Sequence, residues 1–345
     1  MTGDGRMNIH DDPIENKRES DLVTDKKLKR LEANRARQFF ERYGTLLGIL
    51  AICAALSFLS PQFLKRDNLL AIVGHSSAIG IASIGLTLVL MTGNLDLSFG
   101  SVIGTSGMTT AFLMSIGVNL FVAILAGLAV GILVGIINGW LVVVLGIQSL
   151  IATIATQAIV FGCAYFYSAG VDIYENIVEP FTLLGHGSIG PMPNPAIILL
   201  AVLAVAIFVT QFTSLGRYLY AIGGNPIASE FSGIRVSFLK IITYVIAGFL
   251  ASIAGIVMLA RLEYGAAYTG QGYLLDGFAA VFLGFTILKS GKPNVVGSVV
   301  GATFMMILNN GFQLLNVNFV FQIALKGIIL LLIVVTHSQL TIKRE

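Results

Sequence analysis

LFVAILAGLAVGILVGIINGWLVVV, residues 120–144, carries no charged side chain from end to end. A helix needs ~20 mostly apolar residues to cross the hydrocarbon core of a bilayer, so this run alone predicts a spanning helix. Gly127, Gly131, Gly135 and Gly139 recur every fourth residue in it. They therefore share one face and give the helix a smooth stripe on which another backbone can approach closely. That neighbour belongs either to the same chain or to a second copy.

The rest of the chain repeats the pattern. Apolar residues make up 56% of it, charged residues 11%, and the mean hydropathy is +0.87. Those values exclude an ordinary large soluble domain. Charge is concentrated at one end: residues 1–43 hold 10 Lys/Arg and 9 Asp/Glu, and the remaining 302 residues hold only 11 and 9. The net charge of +3 thus gives no reason to expect nucleic acid as a partner. Cys53 and Cys163 lie inside apolar runs, which predicts neither a disulfide framework nor a metal site. The first apolar run starts near Gly44 without a cleavage-type sequence behind it, so the N-terminus does not read as a secretory signal.

Residues 1–25 are polar and mixed in charge, the composition of a disordered tail. Residues 26–42 (KKLKRLEANRARQFFER) fit equally a solvated helix or a basic helix lying on anionic lipid headgroups. The apolar runs then follow at 44–59, 69–91, 100–116, 120–144, 150–167, 195–212, 236–260, 277–288, 295–307 and 319–335. The reading is an all-α polytopic protein with a tail at 1–43 and a membrane domain at 44–345. It has about ten spans, and the run at 277–288 is too short for a full crossing. Loop 170–193 carries Asp172, Glu175 and Glu179 but no Lys or Arg, and is expected outside. The segments with Arg217, Arg235 and Lys240, with Lys289 and Lys292, and with Lys343 and Arg344 are expected in the cytoplasm, as are both termini. Lys65, Arg66 and Arg261 are exceptions, partly offset by Asp67 and Glu263. Lys326, in the first half of the last run, is expected to snorkel towards the interface.

Two places interrupt this plan. At 91–101 (MTGNLDLSFGS), Gly93 and Asn94 break a helix and Asp96 or Ser98 can cap the next. A charged residue at a span centre costs roughly 2.5–3.5 kcal/mol on insertion scales, so Asp96 is not expected to face lipid. Broken helices inside membranes are tolerated where they are buried in protein or line a wet cavity. A similar polar, glycine-rich stretch at 264–277 (YGAAYTGQGYLLDG) ends in Asp276 and leads into the short run. One interruption in each half is the mark of two inverted repeats around a central site. Candidates for lining a solute path are Asn94, Asp96, Ser98, Gln148, Thr153, Gln157, Asp276, Asn309 and Asn310. For Asp96 and Asp276 helix capping is the competing role. For the uncharged residues, together with Asn138 and Thr156, it is hydrogen bonding between helices.

The remaining feature is RYLYAIGGNPIASEFSGIRV, residues 217–236, a charged segment between long apolar runs. Asn225 suits an N-cap, Pro226 the first helical position, and Gly233 the residue just past the end. Ile227 and Phe231, four apart, face the same way. A helix this short is unstable alone in water, so an outward apolar pair on it is expected to fit into a soluble partner. The contact set is Gly223, Gly224, Asn225, Pro226, Ile227, Ala228, Glu230, Phe231 and Gly233.

Signatures of an enzyme are missing. Gly291-Lys292-Pro293 lacks the spacing and the Ser/Thr of a phosphate-binding loop, and His10, His75, His186 and His337 show no metal-ligand spacing. No catalytic residue, metal or cofactor is expected.

Residues 69–335 resemble the permease subunits of bacterial ATP-binding cassette importers for simple sugars, the ribose/xylose/galactose type. The similarity rests on GNLDLSFGSVIGTSG (93–107), AIGGNPIASEFSGIRV (221–236), GQGYLLDGFAAVFLG (270–284), LNNGFQLL (308–315) and LKGIILLLIV (325–334), in order and at sensible spacing. It implies a translocation subunit of the bacterial inner membrane that pairs with a second permease, a copy or a paralogue. It also implies a periplasmic solute-binding protein that delivers a sugar, and a separate cytoplasmic ATP-binding subunit gripping the 223–233 segment as a coupling helix. The chain departs from the family at Gln148-Ser149, where proline is usual. It departs again at Leu274, where glutamate is common, and at GFTILKSG (284–291). Those changes suggest an unusual sugar or a polyol. The branched-chain amino acid class of the same importers is one alternative. An ion-coupled carrier, with Asp96 and Asp276 as ion ligands, is another.

Overall fold

The computed structural model describes residues 47–287 and 292–342. The tail at 1–43 with its 26–42 segment, and the basic residues Lys289, Lys343 and Arg344, lie outside the described residues. The helices are α1 (Leu47–Leu59), α2 (Arg66–Met91), α3 (Phe99–Ser115), α4 (Leu120–Gly139), α5 (Ser149–Tyr167), α6 (Glu179–His186), α7 (Asn194–Ile207), α8 (Ser214–Gly224), α9 (Pro226–Phe231), α10 (Val236–Leu262), α11 (Tyr273–Ile287), α12 (Val295–Leu314) and α13 (Phe319–Ile342). α4 and α7 each run on through a π-helical turn, Trp140–Val144 and Phe208–Phe212. The fold is all-α: the β-structure among the described residues is a two-residue hairpin, Ser188–Ile189 with Met192–Pro193, and one isolated bridge between Ile173 and Gly265.

Among the described residues, six helices are long and apolar enough to cross a membrane: α2, α4 with its π turn, α5, α7 with its π turn, α10 and α12. α11 is described over 15 residues. α12 is longer than its run, extending to Leu314 and taking in Asn309 and Asn310. The loop expected at 170–193 holds α6 and the hairpin, and α6 packs on the C-terminal end of α10. The helix starts follow the chemistry of the residues before them. Asn119 and Asn294 accept hydrogen bonds from the N–H groups of Phe121 and Gly297, satisfying donors that have no partner inside the helix.

α2 and α10 are the buried axis of the bundle, whereas α4, α5 and α7 are mostly exposed. Their exposed residues are Leu, Ile, Val and Phe, as suits helices facing lipid tails. α10 carries α4 on one side, and the glycine stripe is the contact. A Cβ at Gly131 would strike the Gly248 carbonyl, one at Gly135 the Tyr244 carbonyl, and one at Gly139 the backbone of Ile241. The stripe thus serves packing within the chain. α12 lies on α2 in the corresponding way and on α11, just as α4 lies on α3. Thr87 and Ser298 share a hydrogen bond of 2.7 Å across α2 and α12. Where the start of α2 meets the end of α12, Asn68 and Asn310 exchange two, of 3.0 and 2.7 Å.

α3 and α11 begin inside the bundle, and their N-terminal ends meet. Gly100 would place a Cβ 2.9 Å from the Gly270 carbonyl oxygen, and the Phe99 and Phe278 rings touch edge to face with centroids 6.0 Å apart. Gly107 of α3 lies level with Gly255 of α10. At 1.5 Å per residue, the chain after Leu262 therefore dips back on the order of 20 Å before α11 starts.

Candidate functional site

The first interruption, residues 92–98, is non-helical backbone inside the bundle, a turn at 92–93 followed by an irregular stretch, where every freed peptide group needs a partner. α5 and α10 supply them. Ser149 Oγ and Thr153 Oγ1 accept from the N–H groups of Leu95 and Leu97, at 3.2 and 3.1 Å. The Tyr244 hydroxyl donates to the Leu95 carbonyl at 3.0 Å. Asp96 is buried, and its Oδ1 accepts from the backbone N–H and the hydroxyl of Ser98, 2.8 and 2.6 Å away. It closes the turn into α3 at that helix's N-terminus, where the dipole favours an acceptor oxygen. Asn138 on α4 donates to Ser98 Oγ at 2.8 Å. Nothing in the sequence singled out Tyr244, a tyrosine in a long apolar run. Replacing it with phenylalanine takes this partner from the carbonyl of half-buried Leu95, and thermal unfolding in detergent should show a loss of about 1 kcal/mol.

The second interruption has a different solution. Asp276 sits in the first turn of α11, 2% exposed. Its Oδ2 accepts from Lys326 Nζ of α13 and Asn309 Nδ2 of α12, each at 3.0 Å. Lys326 therefore turns inward rather than snorkelling, because a buried carboxylate demands a counter-charge. Asp276 Oδ1 and Asn309 Oδ1 are buried without a hydrogen-bond partner among the described residues.

The predicted path residues are accordingly not one group. Asp96, Ser98 and Thr153 are brought together as the support of the first interruption. Asp276 and Asn309 form a separate ion-paired cluster, and Asn310 is engaged with Asn68. Asn94 and Gln148 do converge, on a pocket of about 570 Å³ bounded also by Gly93, Ser149, Ser237 and Lys240. Gln157 lies half-buried on α5, away from this pocket's lining. Pockets that hold small molecules span roughly 300–1,000 Å³, so this one has room for a monosaccharide.

Beside the pocket stands the short helix α9, and its ends are specified as expected. Asn225 Oδ1 accepts from the Ala228 N–H at 3.0 Å. Past the C-terminus, Ile234 N–H donates to the Ser229 carbonyl and Gly233 N–H to that of Glu230, at 3.1 and 2.9 Å. This paired pattern needs a left-handed residue, and Gly233 has φ +80°. Ile227 and Phe231 are 69% and 89% exposed, while Ser229 faces inward. α9 is thus a rigid knob with two apolar side chains pointing away from the chain. Pro226, Ala228 and Glu230 are exposed around them, as are Gly223 and Gly224 at its base. Gly223 is also a contact point: a Cβ there would meet the carbonyl oxygen of Met91, the last residue of α2 before the first interruption.

The end of the bundle that carries α6 is acidic and aromatic. Tyr174 stacks on Tyr264 with centroids 5.1 Å apart, and the Tyr268 hydroxyl donates to Asp172 at 3.0 Å. That hydrogen bond and the nearby charge hold the Tyr268 phenol above its usual range. Glu263, left-handed at the end of α10, pairs with His186.

Comparison with known proteins places this geometry. The family described as "Branched-chain amino acid transport system / permease component" matches residues 68–335. The ribose import permease protein RbsC of Escherichia coli K12 is 38% identical over 298 residues, covering 86% of this chain and 93% of that one. RbsC of Haemophilus influenzae is 33% identical over 310 residues, 89% of this chain and 96% of that one. The D-allose transport system permease protein AlsC of Escherichia coli K12 is 33% identical over 291 residues, 84% of this chain and 89% of that one. No solved structure matches the chain.

Proposed function

The chain belongs to the branched-chain amino acid transport system / permease component family, and on that premise we propose that it is the translocation subunit of an ATP-driven importer for a monosaccharide. The observation that carries the reading is its similarity, over most of its length, to permeases named for ribose and D-allose. That kinship favours a sugar over an amino acid, although the family's description names the latter. An ion-coupled carrier fits less well, because Lys326 already offsets the charge of Asp276.

In this reading α1–α5, α7 and α10–α13 are ten crossings of the bacterial inner membrane, with both termini cytoplasmic. α2–α4 and α10–α12 are inverted halves, each with a helix that starts inside the bundle. The pocket lined by Asn94, Gln148 and Ser149 opens at the cytoplasmic end of the solute path. A second permease completes that path, and a periplasmic binding protein delivers the sugar to the acidic outer end. The chain's own residues supply no hydrolytic chemistry, so ATP is bound by a cytoplasmic subunit that grips α9. That subunit drives transport by binding the inward- and outward-open states with different affinity.

Reconstitution of the chain with a cognate ATP-binding subunit and binding protein tests the assignment. ATP-dependent accumulation of D-ribose, D-allose or L-arabinose is the expected result; uptake that persists without the ATP-binding subunit would overturn it. The coupling residues have their own test. Gly233→Val puts a branched side chain at φ +80°, and a residue of ordinary chirality there costs roughly 1–2 kcal/mol, enough to unwind so short a helix. Phe231→Ala removes an outward aromatic anchor, for which about 2 kcal/mol, or some thirtyfold in affinity, is typical. Both variants, and Glu230→Lys, should reach the membrane normally yet lose co-purification with the ATP-binding subunit and, with it, uptake.

A further inference from the structure

Among the contacts of α8 are two that come from one of its faces. Gly223 rests on the Met91 carbonyl, directly before the first interruption. Tyr220, three residues earlier and so on the same side of the helix, donates its hydroxyl to the Pro293 carbonyl at 2.6 Å. Pro293 lies just before α12, next to Asn294. Asn294 ties the start of α12 to α11: its Nδ2 donates to the Gly284 carbonyl of α11 at 2.9 Å, and its Oδ1 accepts from the Gly297 N–H of α12 at 2.6 Å. α8 therefore touches α2 just ahead of the first interruption. It also touches the residues that lead into α12, which are held to α11, the helix that follows the second.

α9 is continuous with α8 through Asn225, whose N–H still bonds to the Ala221 carbonyl of α8 at 3.0 Å. Ser229, the inward residue of α9, returns a hydroxyl to the Asn225 carbonyl at 2.9 Å. Asn225 is thereby hydrogen-bonded to both short helices. A displacement of α9 has little slack to absorb it before it reaches Gly223 and Tyr220.

We propose that Tyr220 is a positioning residue that fastens the docking helix to the start of α12, so that one push on α9 acts on both halves of the bundle at once. Gly223 works on the α2 side by direct backbone contact, and Tyr220 works on the α12 side by its hydrogen bond. This inference rests on the importer reading. It adds that neither half is driven through the other.

The test uses the full complex in lipid nanodiscs with its ATP-binding subunit. Native cysteines are removed (Cys53→Ala, Cys163→Ala), and nitroxides are attached at Arg217→Cys on α8 and Lys292→Cys beside Pro293. With Tyr220 present, the spin–spin distance distribution should stay narrow both without nucleotide and with ATP and vanadate, because the two sites move together. In Tyr220→Phe, which keeps the ring and removes the hydroxyl, the distribution should be unchanged at rest and widen about twofold in the trapped state. Co-purification of the ATP-binding subunit should be the same in both. A distribution that stays narrow in Tyr220→Phe would overturn the proposal, and so would one already broad at rest, which marks a merely structural bond. Failure of the Tyr220 chain itself to hold the ATP-binding subunit would instead sink the importer assignment.

Discussion

Replacing Gly131 with leucine should leave little folded protein in the membrane. The site sits where α4 crosses the buried helix α10, and a Cβ there runs into the Gly248 carbonyl and comes within 2.8 Å of Ser252 Cβ. Gly248 offers no relief, since its own missing Cβ would strike the Gly131 carbonyl in return. Neither neighbour is the mobile tip of a long side chain, so the helices must separate. Separation undoes the contacts of Gly135 and Gly139 with α10 along the same stripe. Overpacking a dense core costs roughly 1–3 kcal/mol even where the neighbours can shift. Here the loss is set by a whole interface, in a molecule whose total stability is on the order of 5–15 kcal/mol. In membranes the penalty is sharper, because close van der Waals packing rather than water exclusion holds helices together. Gly327→Leu is the control: nothing lies within 4 Å of the Cβ position there. Comparing the monodisperse fraction of the two variants after mild detergent extraction separates the close approach from the mere addition of bulk. A folded Gly131→Leu protein, as abundant as Gly327→Leu, would show that α4 and α10 do not cross as described.

The stripe also shows what the sequence could and could not yield. Its spacing announced close packing, but not the partner, because Gly248 and Ser252 lie more than a hundred residues away in an apolar run with no pattern of its own. Both interruptions were visible as glycine, asparagine and aspartate among apolar residues, and the capping role of Asp96 was one of the two roles left open. The groups that satisfy the first interruption were not visible. Serine and threonine in helices usually bond to their own preceding turn, as Thr153 does with the Ser149 carbonyl at 2.8 Å. Nothing local says that the same oxygen also accepts from Leu97. α9 was legible at both ends because caps are local chemistry. The inward turn of Lys326 was not, since its choice between the headgroups and Asp276 is made by the packing of α11 against α13.

That choice gives the second large effect. Lys326→Met should destabilise the protein by about 3–5 kcal/mol, the usual cost of stranding one member of a buried ion pair. Asp276 would keep only Asn309 and the N-terminus of α11 as stabilising neighbours. Asp276→Asn should cost less, because Lys326 is 16% exposed along its side chain and has a flexible stem with which to seek water. The double variant Asp276→Asn/Lys326→Met should be more stable than Lys326→Met alone. Neither residue is then charged, and the new amide can still accept from Asn309. Thermal unfolding of the four proteins in one detergent forms a double-mutant cycle, with a coupling of at least about 2 kcal/mol expected. A coupling near zero would mean that the carboxylate is stabilised by the α11 N-terminus and Asn309 alone, so that Lys326 lies beside it without holding it. If the cycle closes as expected while the double variant no longer transports sugar, the pair has a part in the transport cycle beyond stability. Two neutral residues that preserve both fold and uptake would confine its role to anchoring α13 against the helix that begins inside the bundle.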